Sequence, residues 1–162
     1  MHRLWKVIGR DLSNREFASC LQRLCCSVDR LASEAVEQLT IEASGRHESL
    51  RLVRISAREL GFENDVAFAE LWKKAHQAGL DLLPEDAAIH LCNAWALVEW
   101  PHGKIAWVIS KPIKTAHDVK CLLGVGRIRT GWLRAKVFDK ATLFGPDDTL
   151  ICGVHKDLHV YP

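Results

Sequence analysis

The sequence predicts one α+β domain in which N-terminal helices pack on a C-terminal antiparallel sheet. Three observations lead to this prediction. Apolar residues recur at helical spacing in the first half, strand-like runs separated by turn residues fill the second half, and the 162 residues are the usual length of one domain. We expect the helical part to span about residues 1–88 and the sheet about residues 89–162 of that single domain.

The first half opens with a short strand and a pair of helices. Alternation in residues 4–8 is typical of a strand, and a capping box predicts a helix over residues 14–25. A second helix starts at Ser27 or Asp29, because apolar residues then recur every three or four positions. We expect an αα-hairpin, followed by a polar surface loop over residues 43–49.

A strand and a longer helix complete the helical part. Residues 50–56 alternate as a strand with one buried face does, and Ser56 with Glu59 forms a second capping box that predicts a short turn. The longer helix is predicted over residues 65–78 with Asn64 or Asp65 as its N-cap. Its apolar side is expected to pack on the sheet through Phe68, Leu71 and Trp72.

The second half reads as an antiparallel meander that follows one or two helical turns after Pro84. Apolar runs rich in β-branched and aromatic residues alternate with Gly, Pro and Asp clusters, which is the pattern of short strands joined by turns. The predicted strands lie in residues 89–100, 104–113, 119–128, 130–138 and 149–154.

The compartment is predicted from what the sequence lacks. It contains no apolar run of a signal peptide and no apolar stretch of about 18 residues, so we expect a cytoplasmic protein that does not cross a membrane. Cysteines in a reducing compartment stay as thiols, and no CxxC pair is present. We expect Cys92, Cys121 and Cys152 to be reduced and at least partly buried in strands.

Charge and tryptophan provide the candidate binding residues. Residues 101–162 carry ten Lys and Arg against five Asp and Glu, and the chain has six tryptophans. Basic residues interleaved with aromatic ones favour single-stranded nucleic acid, although a solvated polar face is the simpler interpretation. The candidate binding residues are Trp95, Trp100, Trp107, Trp132, Arg127 and Arg129.

Catalytic and metal-binding patterns are weak. Gly124, Gly126 and Gly131 fit neither a phosphate loop nor a dinucleotide loop, and no known catalytic signature is present. Cys152 and His155, with His159, are spaced as metal ligands but lack a second cysteine pair. We therefore predict no metal and no cofactor, assign no catalytic residue, and expect a protein that is not an enzyme.

Six short motifs follow one another along the chain: LWKVI (4–8), RISARELGF (54–62), AGLDLLPED (78–86), IAWVISKPI (105–113), WL (132–133) and FGPDD (144–148). With these motifs the chain resembles a group of small bacterial proteins of unknown function. The resemblance implies a shared fold and a bacterial, cytoplasmic origin but no catalytic residues. The stretch after the Pro-Glu turn departs from that family, since it reads DAAIHLCNAW where Gly, Pro and Arg are expected.

These observations favour a non-enzymatic binding or interaction protein, carried on a mobile bacterial element. One alternative is a nucleic-acid-associated protein that uses the basic last third, and another is a small enzyme with an unrecognised site. The hairpin around Pro101 carries Trp95, Trp100 and Trp107 with few flanking charges. Because a natural protein protects such a sheet edge, we expect a homodimer there. The alternative is a monomer in which a second-half helix or the C-terminal tail LHVYP covers the same surface.

Overall fold

The structure is a computed structural model that describes residues 4–9, 27–39, 49–94, 103–127 and 131–155. The structural statements below concern these residues. Their helices are α1 (Arg30–Glu37), α2 (Phe68–Gln77) and α3 (Ala87–Asn93). Their strands are β1 (Lys6–Gly9), β2 (Ser27–Val28), β3 (Ser49–Ser56), β4 (Val66–Ala67), β5 (Leu80–Asp81), β6 (Ile105–Val108), β7 (Ile113–Lys114), β8 (Lys120–Arg127), β9 (Gly131–Val137), β10 (Leu143–Phe144) and β11 (Thr149–Val154).

A mixed sheet forms the centre of the molecule. Its strands follow the order β1-β3-β11-β6-β8-β9-β2, with β5 added on β11 and β7 on β8. Two of the pairs are parallel, β11 with β6 and β2 with β9. The strands β4 and β10 form a separate two-stranded sheet.

The predicted fold class is therefore wrong, because the sheet is mixed and contains strands from both halves of the chain. The sheet is not an antiparallel meander of the second half, because β1, β2 and β3 from the first half belong to it. Only β6, β8 and β9 follow one another as the meander predicted. After β9 the chain passes through β10 and returns to the middle of the sheet, where β11 pairs with β3 and β6.

Helices cover both faces of the sheet, and one of them, α3, lies in the part of the chain that was predicted to be sheet. On the first face, α1 and α3 pack on a buried cluster that includes Leu52, Leu123 and Ile151. On the second face, α2 packs on a cluster that includes Val53, Phe144 and Leu150. Strands β3 and β11 contribute side chains to both clusters, because successive residues of a strand point to opposite faces.

The helix predicted to start near Asp29 is confirmed as α1. Asp29 is its N-cap, and its carboxylate accepts a hydrogen bond from the Ala32 amide at 2.7 Å. The second oxygen of the same carboxylate accepts from the Ala135 amide of β9 at 3.0 Å. Asp29 therefore ties the start of α1 to the edge of the sheet, next to the two residues of β2.

The capping box at Ser56 is also confirmed. The Glu59 carboxylate accepts from the Ser56 amide at 2.7 Å, and the Ser56 hydroxyl accepts from the Glu59 amide at 3.2 Å. The turn that follows ends at Gly61, whose φ of +96° suits glycine. This box ends β3 and directs the chain towards α2.

The predicted helix over residues 65–78 begins later than expected. Phe68, Leu71 and Trp72 pack on the second cluster as predicted, but α2 starts at Phe68 and Asn64 and Asp65 do not cap it. Val66 and Ala67 are instead extended in β4, because they pair with Phe144 and Leu143 of β10. A backbone partner distant in sequence has overridden the local capping signal.

The strand predicted over residues 89–100 is wrong where the structure describes it, because Ala87–Asn93 form α3. From Ala87 to Cys92 every residue of this helix is buried. A helix buried on all sides has no polar stripe, so its sequence resembles a buried strand. The helix predicted over residues 14–25 and most of the polar loop lie outside the described residues.

Three cysteines are free thiols buried in the fold, as predicted, although Cys92 lies in α3 and not in a strand. Burial raises the pKa of Cys152 to about 12. Burial, with a smaller contribution from the Asp29 carboxylate, raises the pKa of Cys121 to about 11. Separately, no helix among the described residues is both long enough and apolar enough to cross a lipid bilayer.

Cys121 and Cys152 should resist alkylation in the native protein at pH 8. Thiolate is the reactive form, and a pKa raised to about 11 or 12 leaves little of it at this pH. Iodoacetamide labelling read by peptide mass spectrometry checks this position by position. In denaturant both thiols should label fully. Rapid native labelling of Cys152 would show that β11 is not buried as described.

Candidate functional site

An open groove of 590 Å³ lies at one end of the sheet and is called the Trp107 groove below. It is lined by Gly103, Lys104, Ile105 and Trp107 on one side and by residues 145–149 on the other. The parallel pairing of β6 with β11 brings these two segments together, because Thr149 lies beside Ala106 in the register.

The floor of the groove depends on a glycine in β8. Gly124 lies between Trp107 of β6 and Arg134 of β9 in the sheet register. A Cβ atom at this glycine would lie only 2.7 Å from both Trp107 Cε3 and Ile105 Cγ2. The absence of a side chain at Gly124 therefore lets the Trp107 and Ile105 side chains lie close against the sheet.

Lys136 occupies one side of the Trp107 ring. Its Nζ lies 5.5 Å from the Trp107 ring centroid and 4.4 Å from that of Phe144. The same ammonium donates a hydrogen bond to the Leu143 carbonyl oxygen at 2.8 Å. The Lys136 ammonium thus contacts the Trp107 indole while it is hydrogen-bonded to the backbone of β10.

The opposite wall is a turn fixed to the rest of the fold. The Gly145 amide donates to Asp148 Oδ2 at 2.9 Å, and the Asp148 amide donates to the Gly145 carbonyl oxygen at 3.1 Å. Arg58 anchors the turn from behind, since its amide donates to the Pro146 carbonyl oxygen at 2.8 Å. The wall is therefore held in place without any ligand.

The Arg58 side chain adds a two-point contact to this wall. Its Nε and Nη2 donate to the two carboxylate oxygens of Asp147 at 3.0 and 3.2 Å. The hydrogen bond and charge of Arg58 lower the pKa of Asp147, and Lys104 lowers it slightly further. Since both partners are exposed, we assign this pair to orientation of the wall and not to stability.

Three positive and two negative charges surround the groove, and Lys136 beside the indole is one of the positive ones. Asp147 and Asp148 carry two negative charges, and Lys104 and Arg58 carry two positive ones. The lining includes neither cysteine nor histidine, and its titratable side chains are Lys104, Asp147 and Asp148. The arrangement offers an aromatic surface with a polar rim, which is suited to binding.

A second polar cluster is buried in α3. His90 Nε2 lies 3.2 Å from Asp86 Oδ2, with side-chain exposures of 1% and 5%, and His90 Nδ1 has no hydrogen-bond partner. Sequence reasoning missed this pair, although a spacing of four residues in a helix would have suggested it. At this burial no ligand reaches the imidazole, so the pair is part of the core.

The structure brings only some of the predicted binding residues to the groove. Trp107 lines it, and the Arg127 carbonyl oxygen accepts a hydrogen bond from the amide of the lining residue Gly103 at 2.9 Å. Trp132 lies in β9 beside Gly126 of β8. Trp95, Trp100 and Arg129 lie outside the described residues.

The weak metal pattern gains no support from the fold. Cys152 is buried within β11, His155 is exposed just after the strand, and His159 lies outside the described residues. Within the described part of the chain, no three His, Cys, Asp or Glu side chains are grouped to hold a metal ion.

Comparison with family profiles, with curated proteins and with solved structures finds no match for this chain. The resemblance stated from its motifs therefore remains an interpretation of the sequence. The function has to be argued from the groove itself.

Proposed function

We propose that this chain is a binding protein whose Trp107 groove takes an extended, proline-containing segment of a partner protein. The observation that carries the proposal is the half-buried indole of Trp107, which lies against Gly124 and borders an open groove. Aromatic-lined grooves bind proline-rich segments because such segments are already extended and lose little entropy on binding.

The remaining lining fits the same class of ligand. Ile105 and Pro146 add apolar surface on either side of the indole, while Asp148, Lys104 and Thr149 offer hydrogen-bonding groups at the rim. Because acids and bases lie in and behind the groove in similar numbers, a segment of low net charge is favoured over a strongly acidic or basic one. A rigid wall also favours binding, since the site needs no ordering when the ligand arrives.

The peptide class can be tested with a fluorescein-labelled peptide of about ten prolines. We expect its anisotropy to rise on titration with the protein, and a Gly-Ser peptide of equal length to bind far more weakly. Trp107→Ala should weaken the proline peptide about tenfold or more, because aromatic anchors carry most of the energy of such contacts.

Trp72→Ala is the matched control, since Trp72 lies on α2 and does not line the groove. Both variants are checked by thermal melting and compared below their transitions. The proposal would be contradicted if the two peptides bound equally well, or if wild type and Trp107→Ala bound the proline peptide equally well. The expected homodimer is a separate prediction that light scattering over a dilution series tests.

A further inference from the structure

Four exposed lysines gather at the end of the sheet opposite the Trp107 groove, and we call this region the lysine end. Strand β7 pairs with the start of β8, and the turn over residues 115–119 joins them. The Phe138 amide, at the end of β9, donates to the Lys120 carbonyl oxygen at 2.8 Å, which places the following turn beside this hairpin. The lysines are Lys111, Lys114, Lys120 and Lys140.

Two of these lysines face each other directly. Lys114 and Lys120 are opposite residues of the antiparallel pair β7–β8. Like charges in this position disfavour pairing, since opposite Cβ atoms lie only about 5 Å apart. The arrangement therefore concentrates positive charge at this end and needs an acid nearby to offset the repulsion.

Asp118 offsets part of this positive charge. Its Oδ1 forms an ion pair with Lys114 Nζ, and Lys114 lowers the pKa of Asp118, with a smaller effect of Lys120. Asp118 also has a φ of 65°, a conformation in which Asn is as acceptable as Asp. Lys111, Lys120 and Lys140 form no ion pair within the part of the chain that the structure describes.

The other acid at this end does not cancel these lysines. Asp139 Oδ1 accepts hydrogen bonds from the Ala141 amide at 2.8 Å and from the Thr142 hydroxyl at 3.2 Å. Its carboxylate thus holds its own turn and keeps its negative charge. Four lysines against two acids still leave the lysine end with a net positive surface, which points to a polyanionic partner.

The composition of the lysine end favours nucleic acid over a lipid surface. Membrane attachment needs a broad apolar face beside the charges, but the exposed residues of the tip are Ala116, His117 and Asp118. Val137 at the end of β9 is exposed beside them, and a single valine provides little apolar surface. Lysines without an exposed aromatic partner also suit phosphate contacts, which carry no sequence information.

We propose that the lysine end binds the phosphate backbone of duplex nucleic acid without sequence preference, through Lys111, Lys120 and Lys140, and that Asp118 limits this binding by holding Lys114. The site lies at the opposite end of β8 from the Trp107 groove. Nucleic-acid binding at the lysine end can therefore be tested independently of peptide binding in the groove.

The test is anisotropy of a short fluorescein-labelled duplex DNA titrated with the full chain. Three phosphate contacts give a salt slope of about −2.7, so affinity should fall about 40-fold between about 50 and 200 mM salt. Lys120→Ala or Lys140→Ala should reduce that loss to about 12-fold. Asp118→Asn should tighten binding and steepen the loss to about 150-fold, since it frees Lys114.

Lys73→Ala, which removes an exposed lysine of α2, is the matched control and should leave both affinity and slope unchanged. The exposed positions keep the variants folded, and melting temperatures verify this. The proposal is overturned by salt-insensitive or absent DNA binding, by a slope that Lys120→Ala leaves unchanged, or by weaker binding of Asp118→Asn. Capture by phosphatidylserine vesicles without DNA binding would overturn it in favour of a lipid partner.

Discussion

Phe144→Ala should lower the free energy of unfolding by about 3 to 5 kcal/mol, because it removes a large side chain from a dense core. Phe144 is 0% exposed. Its ring lies 6.0 Å from that of Phe68 in α2, and its strand β10 pairs with β4. Truncation therefore leaves a cavity between α2 and the second face of the sheet.

Urea unfolding followed by circular dichroism measures this loss. Leu143→Ala is the matched control, because Leu143 is the neighbouring residue of β10 but is 52% exposed. It should change stability by less than about 0.5 kcal/mol. Similar effects at the two positions would contradict the described orientation of β10.

Gly124→Val should both destabilise the fold and close the Trp107 groove to ligands. Its Cβ atom would lie 2.7 Å from Trp107 Cε3, so the indole has to leave its position against the sheet. Overpacking of this kind costs about 1 to 3 kcal/mol. We also expect proline-peptide affinity to fall about tenfold or more, since the displaced indole no longer borders the groove.

Gly145→Ala provides the control for this change. Gly145 also lines the groove, but a Cβ there would approach no atom closer than 3.5 Å. It should keep wild-type stability and retain peptide binding. If Gly124→Val unfolds at the wild-type urea concentration and binds the peptide normally, then Trp107 does not lie over Gly124.

The elements that the sequence predicted well are those set by local contacts. The cap of α1 and the box of Ser56 with Glu59 each depend on residues only three positions apart. Strand β3 was also predicted to within one residue, because its alternation reflects two different buried faces. Local patterns of this kind predict the structure correctly when no distant segment pairs with the same backbone groups.

The order of the sheet could not be predicted in this way. The placement of β11 between β3 and β6 depends on pairings such as Ile55 with Leu150, which are far apart in the chain. The same applies to β4, whose pairing with β10 displaced the start of α2. In α3 the failure has another cause, because complete burial removes the periodicity that distinguishes a helix from a strand.

The candidate site was predicted only in part, for related reasons. Tryptophan content and the basic last third singled out Trp107 and Arg127. The sequence showed only that Gly124 fits no phosphate-binding loop, and its role beneath the indole emerges from the register of β6 and β8. The anchoring of Asp147 by Arg58 joins two turns 89 residues apart, so no local pattern could reveal it.

The claim that the Trp107 groove is the binding site is tested most directly by nuclear magnetic resonance. The proline peptide would be titrated into the nitrogen-15-labelled protein, and shifts of the amide and indole signals would be mapped on the structure. We predict that the largest shifts occur at the Trp107 indole and the amides of Gly103 and Gly145, with none at Lys114 or Lys120. Peptide binding whose shifts avoid the groove and fall elsewhere on the sheet would contradict the account.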